Sequence, residues 1–472
     1  MSLGLRLVMK FGGTSLADGD CISRACGIVV DSLKGGNKLA LVVSAMADVT
    51  DELVEACRSA EVGNRSFIRN TVVELRQLHE SACRVSVTDK HLRNEVKKTV
   101  EESLKELENV LEGITYLKEV TPKIEDYVLS FGERLSAPIV WGALRSRGVD
   151  AEWFTGKEAG IVTDSNFGDA KPLMEMTVHQ VKDRLQKLYE GGIVPVVAGF
   201  IAADQEGRIT TLGRGGSDYT ATILGCALAV DEVWFWTDVD GLMTTDPAVE
   251  PSAKTIRKLS YQEALEMAFF GAKALHPKAI ELVMERGIPL RIRNTFNPQD
   301  PGTAIKADQE VEPSSVAKAI SLIPKVAIIT VSGAGMVGAP SVASKLFEVL
   351  GRKKVNVLMI SQGSSEANIS FAVPRESLDE VLNTLELSLL GGKYVREIKA
   401  EEDACIVALV GAGMQGTPGV AARIFSAVAR EKINIRMIAQ GSSELNISFV
   451  VKEAEGEKTV RALHREFNLG GK

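Results

Sequence analysis

Several short stretches carry side chains that could move a phosphoryl group or hold a carboxylate. In KFGGTS, Lys10 closes an apolar run, and Gly12 and Gly13 would let the backbone approach a phosphate. Thr14 and Ser15 could open a helix there, and a helix N-terminus favours anions. A strand-end lysine beside a structural glycine turn is the plainer reading. In GRGGSD, Arg214 stands among glycines, where a guanidinium can fork onto a carboxylate. Asp218 heads the helical run YTATILGCALA and could cap it as readily as take part in chemistry. TDVDGLMTTDP ends an apolar run and turns. Its acids Asp238, Asp240 and Asp246 could touch Mg2+ directly or through water, or form the turn alone, so the direct metal ligands stay open. His276, before Pro277, reads as a residue that fixes a turn.

Other phosphate motifs are missing. FTGKEAG contains Gly156-Lys157 but lacks the first glycine and the Ser/Thr of a P-loop, and no H-R-D loop occurs. GAGMVG (from Gly333) and GAGMQG (from Gly411) both spell G-x-G-x-x-G. A dinucleotide fold would add a parallel βαβ unit and an acid about 20 residues on. Here VNVLMISQG ends without an acid, and a tight turn leads into ANISFAV, which implies antiparallel pairing. The glycines read instead as places where a turn passes close to another segment or a small ligand.

These stretches need a scaffold. The strand candidates LRLVMKF, LALVVSAM, IVPVVAGFIA, EVWFWTDV and IPLRIRN are mostly continuous in apolar residues, as expected of strands buried on both faces of a parallel sheet. Helical runs such as EVKKTVEESLKELENVLEGI separate them, which predicts one α/β domain over residues 1–305 with a central, mostly parallel sheet. Ligands of such sheets bind beyond the carboxyl ends of the strands. The polar, proline-containing stretch 297–315 reads as a linker.

Beyond it the chain repeats itself. The stretches beginning at Gly333 and Gly411 align without a gap, with more than half of their positions identical. The first copy reads as βαββαβ, a ferredoxin-like order, over 326–402. The second, 403–472, ends on its second helix and lacks the last strand. An unpaired sheet position is costly, so residues 316–323, within the 306–325 connection, are expected to cross over and fill it, leaving the two units intertwined.

Composition bounds the rest. The 472 residues carry a net charge of −7, with 45% apolar and 25% charged residues, an ordinary globular balance without the basic excess of a nucleic-acid binder. Six scattered cysteines form no C-x-x-C pair, and five histidines do not cluster. Reduced thiols and a cytoplasmic location are expected. Neither a membrane-length apolar run nor a signal peptide is visible.

Six motifs in order (KFGGTS, VVSAMADVTDEL, SFGERLSA, GRGGSD, TDVDGLMTTDP and GAKALHP), followed by the tandem repeat, resemble the aspartate kinases, whose paired C-terminal modules are ACT domains. The resemblance spans nearly the whole chain. It implies an amino-acid-kinase fold and transfer of phosphate from Mg-ATP to the side-chain carboxylate of L-aspartate, giving 4-phospho-L-aspartate at the start of lysine, threonine and methionine biosynthesis. It assigns Lys10 and Asp218 to catalysis, and Ser44, Thr50, Glu133, Arg214 and Ser217 to substrate, with Glu133 on the α-ammonium. Lys10, Gly12, Gly13, Thr237, Asp238, Asp246 and Lys273 are assigned to ATP. Met243 and Ala248 stand where some relatives have tyrosine and arginine, a departure at the nucleotide end of the pattern. Gln362 and Gln440, in SQGSSE and AQGSSE, resemble the effector residues of the threonine-inhibited type. L-threonine is therefore the expected effector, and a homodimer or dimer of dimers through the ACT domains the expected assembly. A fused homoserine dehydrogenase is not expected. A kinase of another amino-acid carboxylate and a non-catalytic sensor remain alternatives.

Overall fold

The computed structural model describes residues 4–271, 275–307, 316–333, 336, 341–363, 368–390 and 394–471. Contacts divide the chain into two units. One holds residues 1–242, 257–265 and 273–309, and the other 243–256, 266–272 and 310–472.

Among the described residues the first unit has eleven strands: β1 (Arg6–Phe11), β2 (Lys38–Val43), β3 (Ala151–Phe154), β4 (Val162–Thr163), β5 (Val194–Ala198), β6 (Ile201–Asp204), β7 (Ile209–Thr211), β8 (Glu232–Thr237), β9 (Lys258–Ser260), β10 (Leu290–Asn294) and β11 (Thr303–Lys306). Eight form one sheet in the order β3-β5-β2-β1-β8-β10-β11-β9. Every pairing in it is parallel except β10 with β11. The apolar runs explain this. Leu7, Met9, Leu41, Val43 and Trp236 are fully buried with both faces of their strands covered. The amphipathic helices Arg65–Ser86 and Lys90–Leu117 are started by Asn64 and Asp89, whose side chains accept from Phe67 N and Leu92 N. From β1 the chain moves to β2 on one side and later to β8 on the other, so β1 lies at a topological switch point.

Local details differ from the sequence reading. IVPVVAGFIA is two strands, because Phe200 takes a left-handed turn (φ 64°) that sends β6 into a small sheet with β4 and β7. Part of the expected linker is the strand β11, which lies between β10 and β9 and whose Thr303, Ala304 and Ile305 pair with β10. Thr14 and Ser15 do not open the following helix. They lie in a short 3-10 turn, Gly13–Leu16, and the helix Gly19–Lys34 is capped by Asp18, which accepts from Cys21 N at 2.8 Å.

The second unit contains a six-stranded sheet of β12 (Ala319–Ser332), β13 (Met359–Gln362), β14 (Asn368–Pro374), β15 (Glu397–Val410), β16 (Met437–Gln440) and β17 (Asn446–Val451), ordered β13-β14-β12-β15-β17-β16. Where the sequence suggested strands broken at the unit boundaries, β12 and β15 each run for 14 residues through both repeats. Residues 319–323 pair with 406–410, and 328–332 pair with 397–401, with register shifts between. The second ferredoxin-like unit thus takes its last strand from the chain preceding the first, whereas the first closes with its own residues 397–401, and the two are intertwined. Helices Ser341–Arg352 and Leu378–Leu389 cover one half of the sheet, and Val420–Arg430 and Gly456–Glu466 the other. The strand after the first helix of each repeat pairs antiparallel with the next, unlike a dinucleotide fold. Gly411 sits in the tight approach that its glycine-rich stretch suggested: a β-carbon there would lie 2.7 Å from the carbonyl oxygen of Val316. Gly333, its counterpart, would meet the carbonyl of Tyr394 at 2.1 Å. Gly335 and Gly338 lie outside the described residues.

Among the described residues no helix is long and apolar enough to cross a membrane.

Candidate active site

The carboxyl ends of β1, β2, β5 and β8 meet two helix starts. Lys10, near the end of β1, lies 2.6 Å from Asp218 Oδ1, with both side chains 14% exposed. The approach does not line up as a hydrogen bond, so the pair is held by charge more than by direction. Asp218 stands in the first turn of helix Gly216–Leu228, whose cap is Gly215 in a left-handed conformation (φ 69°). Its side chain reaches Lys10 and is not the cap.

Glu133 lies in the first turn of helix Phe131–Arg145 and is 3% exposed. Ser217 Oγ donates to its Oε1 at 3.4 Å, while Oε2 is buried with no partner. Burial pushes this carboxyl up to about 8, against partial relief from the Ala45 backbone, Ser217 and the charge of Lys10. A buried carboxylate oxygen without a donor is costly, and such groups mark places where a ligand completes the structure. Ser44 follows β2, and its carbonyl accepts from Ser136 Oγ at 2.7 Å, which ties the end of β2 to the helix carrying Glu133. Thr50 lies beside the same helix: its hydroxyl would be 3.8 Å from a β-carbon on Gly132. Gly12 would place a β-carbon 3.5 Å from Lys10 Nζ, but its N–H donates to the Trp236 carbonyl at 3.1 Å and is not free for phosphate.

Arg214 is exposed, and among the described residues it has no carboxylate partner. Thr237 ends β8 and donates to Asp238 Oδ1 at 3.0 Å, and Asp238 is exposed. Asp240 accepts from Asn294 and Asn297 at 2.8 and 3.1 Å. Asp246 belongs to the second unit, where it accepts from Ala248 N at 2.9 Å as a turn residue does. Lys273 lies outside the described residues. Among the described residues no three His, Cys, Asp or Glu side chains gather as a metal cage. One or two carboxylates such as Asp238 suit an ion carried on nucleotide phosphates. Gln362 and Gln440 occupy equivalent exposed positions at the ends of the edge strands β13 and β16.

Sequence reasoning gave His276 only a turn. Its ring packs on the turn that presents Arg214, where a β-carbon on Gly215 would lie 2.6 Å from the imidazole. Burial and then the charge of Lys278 hold its pKa below the ordinary value. The glycine at 215 beside a distant histidine was the only available signal. The left-handed Asp48 (φ 65°) ahead of helix Val49–Glu61 left none.

An anion-ready cleft at the switch point of a parallel sheet, with the intertwined pair of ferredoxin-like units, defines an amino acid kinase carrying regulatory modules. The family model "Amino acid kinase family" matches residues 5–294, and "ACT domain" matches 329–389 and 407–467. The chain is 32% identical to an aspartokinase of Bacillus sp. (strain MGA3) over 98% of both chains. It is 34% identical to a bifunctional aspartokinase/homoserine dehydrogenase of Arabidopsis thaliana, of which it spans about half (51%) while 98% of its own length is covered. The fold superposes on E. coli aspartokinase III in complex with aspartate and ADP with a TM-score of 0.84 at 29% identity, covering 98% of this chain and 99% of that one. The same enzyme with lysine and aspartate gives 0.78 at 30% identity, covering 98% and 99%. The chain belongs to the aspartokinase family.

Proposed function

We propose that this protein phosphorylates the side-chain carboxylate of L-aspartate with ATP. The observation that carries the reading is Glu133: a buried carboxylate with one oxygen unpartnered, beside a lysine paired to an aspartate. An α-ammonium fits that oxygen and draws the carboxyl to its ionised form. Arg214 holds a carboxylate of the substrate through two parallel hydrogen bonds, and Ser44, Thr50 and Ser217 complete its surroundings. The attacking carboxylate is already ionised at neutral pH, so no general base is needed. Lys10 meets the charge on the transferring phosphoryl oxygens, and Asp218 keeps the ammonium aimed. Thr237 and Asp238, at the end of β8, are assigned to the nucleotide. Asp238, exposed at the end of β8, is the carboxylate that would hold Mg2+, which would supply positive charge to the phosphates.

The ACT pair is assigned to feedback control by L-threonine through Gln362 and Gln440, whose amides offer donor and acceptor to a small polar amino acid. Lysine appears with E. coli aspartokinase III, so lysine is the competing effector. The exposed Ile360 and Ile438, 48% and 45% accessible on the two edge strands, favour a homo-oligomer built through these units. Placement at the head of the aspartate-derived pathway follows from the reaction.

The test is to incubate the protein with Mg-ATP and a panel of amino acids and to trap acyl phosphate with hydroxylamine. Hydroxamate from aspartate alone supports the reading. Hydroxamate from glutamate or N-acetylglutamate would move the protein to another carboxylate kinase, and none from any acid would make it a sensor.

A further inference from the structure

The first unit holds a cavity of about 600 Å³ that contains none of the candidate active-site residues. That volume is in the range of small-molecule sites. Its walls are largely hydrocarbon: Val110, Ile124, Ile201 and Ile209 line it, joined by the ring of Tyr127. Four cationic side chains open onto the same space, namely Lys123, Arg134, Lys157 and Arg208.

The cations are not equivalent. Arg134 is neutralised by Glu106, 2.5 Å from Nη2, and lies over the Phe131 ring with 4.2 Å to its centroid. Tyr127 donates its hydroxyl to the same carboxylate. Arg208 is neutralised by Asp204 at 2.7 Å and Glu206 at 3.0 Å. Among the described residues the lysines have no such partners. Lys157 donates to the carbonyl of Gly207 at 2.8 Å, a neutral acceptor that leaves its charge uncompensated. Lys123 has no carboxylate within ion-pair distance among the described residues. Two uncompensated ammonium groups therefore edge an apolar hollow whose other charges are already balanced. Hydrocarbon walls select a hydrophobic body, and the lysines select a negative head group.

We propose that this cavity is a binding site for a small organic acid: one carboxylate on an aliphatic or aromatic hydrocarbon body, its head group between Lys123 and Lys157 and its body against Ile124, Ile201 and Ile209. The site is separate from the catalytic cleft. The two share only helix Phe131–Arg145, whose first turn sends Glu133 to one and Arg134 to the other. The assignment does not depend on the reaction proposed above.

The test uses the full chain and two probe acids, 4-methylpentanoate and 3-phenylpropanoate, with their uncharged amides and inorganic phosphate as comparisons. Binding is read by calorimetry. Occupancy is read by mass spectrometry as protection of individual lysines from a lysine-selective acylating reagent. At least one acid should bind saturably below about 10 mM and its amide about tenfold more weakly or worse. Lys123 and Lys157 should be protected, while the exposed Lys98 is not. The double substitution Lys123→Ala/Lys157→Ala should remove the charge preference, and Ile209→Trp should remove binding by filling the hollow. Both variants are checked for folding by circular dichroism and thermal midpoint. Absence of saturable binding by either acid would overturn the proposal. So would equal protection by phosphate alone, or binding unchanged in both folded variants.

Discussion

Glu133 carries an opposition between folding and function. Its carboxyl is pushed up to about 8 from an ordinary value of 4.5 by burial. The folded chain therefore prefers it protonated. That contribution to stability is fully present below about pH 4.5 and is lost as pH rises through about 8. Glu133→Gln keeps the shape and removes the titration, so the ligand-free variant should lose less thermal stability than the parent between pH 6 and pH 8.5, read by calorimetry across the series. The same change should raise the KM for aspartate about 10- to 100-fold, the worth of a charge-assisted hydrogen bond. In the parent, kcat/KM for aspartate should climb with pH towards a plateau above about 8, since this parameter reports the free enzyme. Lys10→Ala should lower kcat by about a thousandfold, as expected when a charge aimed at the transferring group is lost. Asp218→Asn should cost less, because the ammonium remains. Lys10, Glu133, Arg214 and Asp218 were legible as chemistry because each stands in a short glycine-bearing or strand-end motif. The pairing of Lys10 with Asp218 was not, since the two are far apart in the chain and meet only when β1 and helix Gly216–Leu228 converge. The empty side of Glu133 is likewise a property of packing.

At the scale of elements, the repeats are held together by two long strands, and the glycines that resemble a nucleotide fingerprint let those strands be approached. Gly333 meets the backbone just before the first half of β15, and Gly411 meets the backbone just before the first half of β12. Side chains at these points must push backbone aside, and overpacking of this kind costs about 1–3 kcal/mol. Gly411→Ala should lower the urea midpoint of the C-terminal unit while leaving the kinase unit's transition in place, followed by tryptophan fluorescence for the kinase unit and by circular dichroism for the whole chain. All four tryptophans of the sequence fall in the kinase unit, which makes the first signal specific. Period and apolar pattern gave the strand and helix order of each repeat. They could not give the continuity of β12 and β15, because an extended strand needs no residue to mark where one unit ends. The break in IVPVVAGFIA was hidden for a related reason: Phe200 in a left-handed conformation has no sequence signature of the kind a glycine carries.

At the scale of the whole molecule, the chain does not divide where its composition changes. Residues 243–256 and 266–272, inside the region matched by the kinase family model, fold with the C-terminal unit. Within that unit Thr244 bonds to His464 at 3.0 Å and its carbonyl accepts from Ile320 N at 2.8 Å. The segment that follows the Thr237–Asp238 strand end in the chain is therefore anchored to the regulatory fold. Thr244→Val and Gln440→Ala should each weaken inhibition by threonine, raising the half-inhibiting concentration about tenfold with kcat changed by less than about twofold. A titration of threonine, with lysine in parallel, reads this out. An effect of lysine alone would reassign the effector. The central claim concerns what Glu133 waits for, and the most direct measurement compares two substrates in two proteins: kcat/KM for L-aspartate and for succinate, which lacks the ammonium, in the parent and in Glu133→Gln. The account predicts a strong preference for aspartate in the parent that collapses in the variant, through loss of activity on aspartate with succinate hardly changed. An equal fall on both substrates, or a preference that survives the substitution, would contradict it.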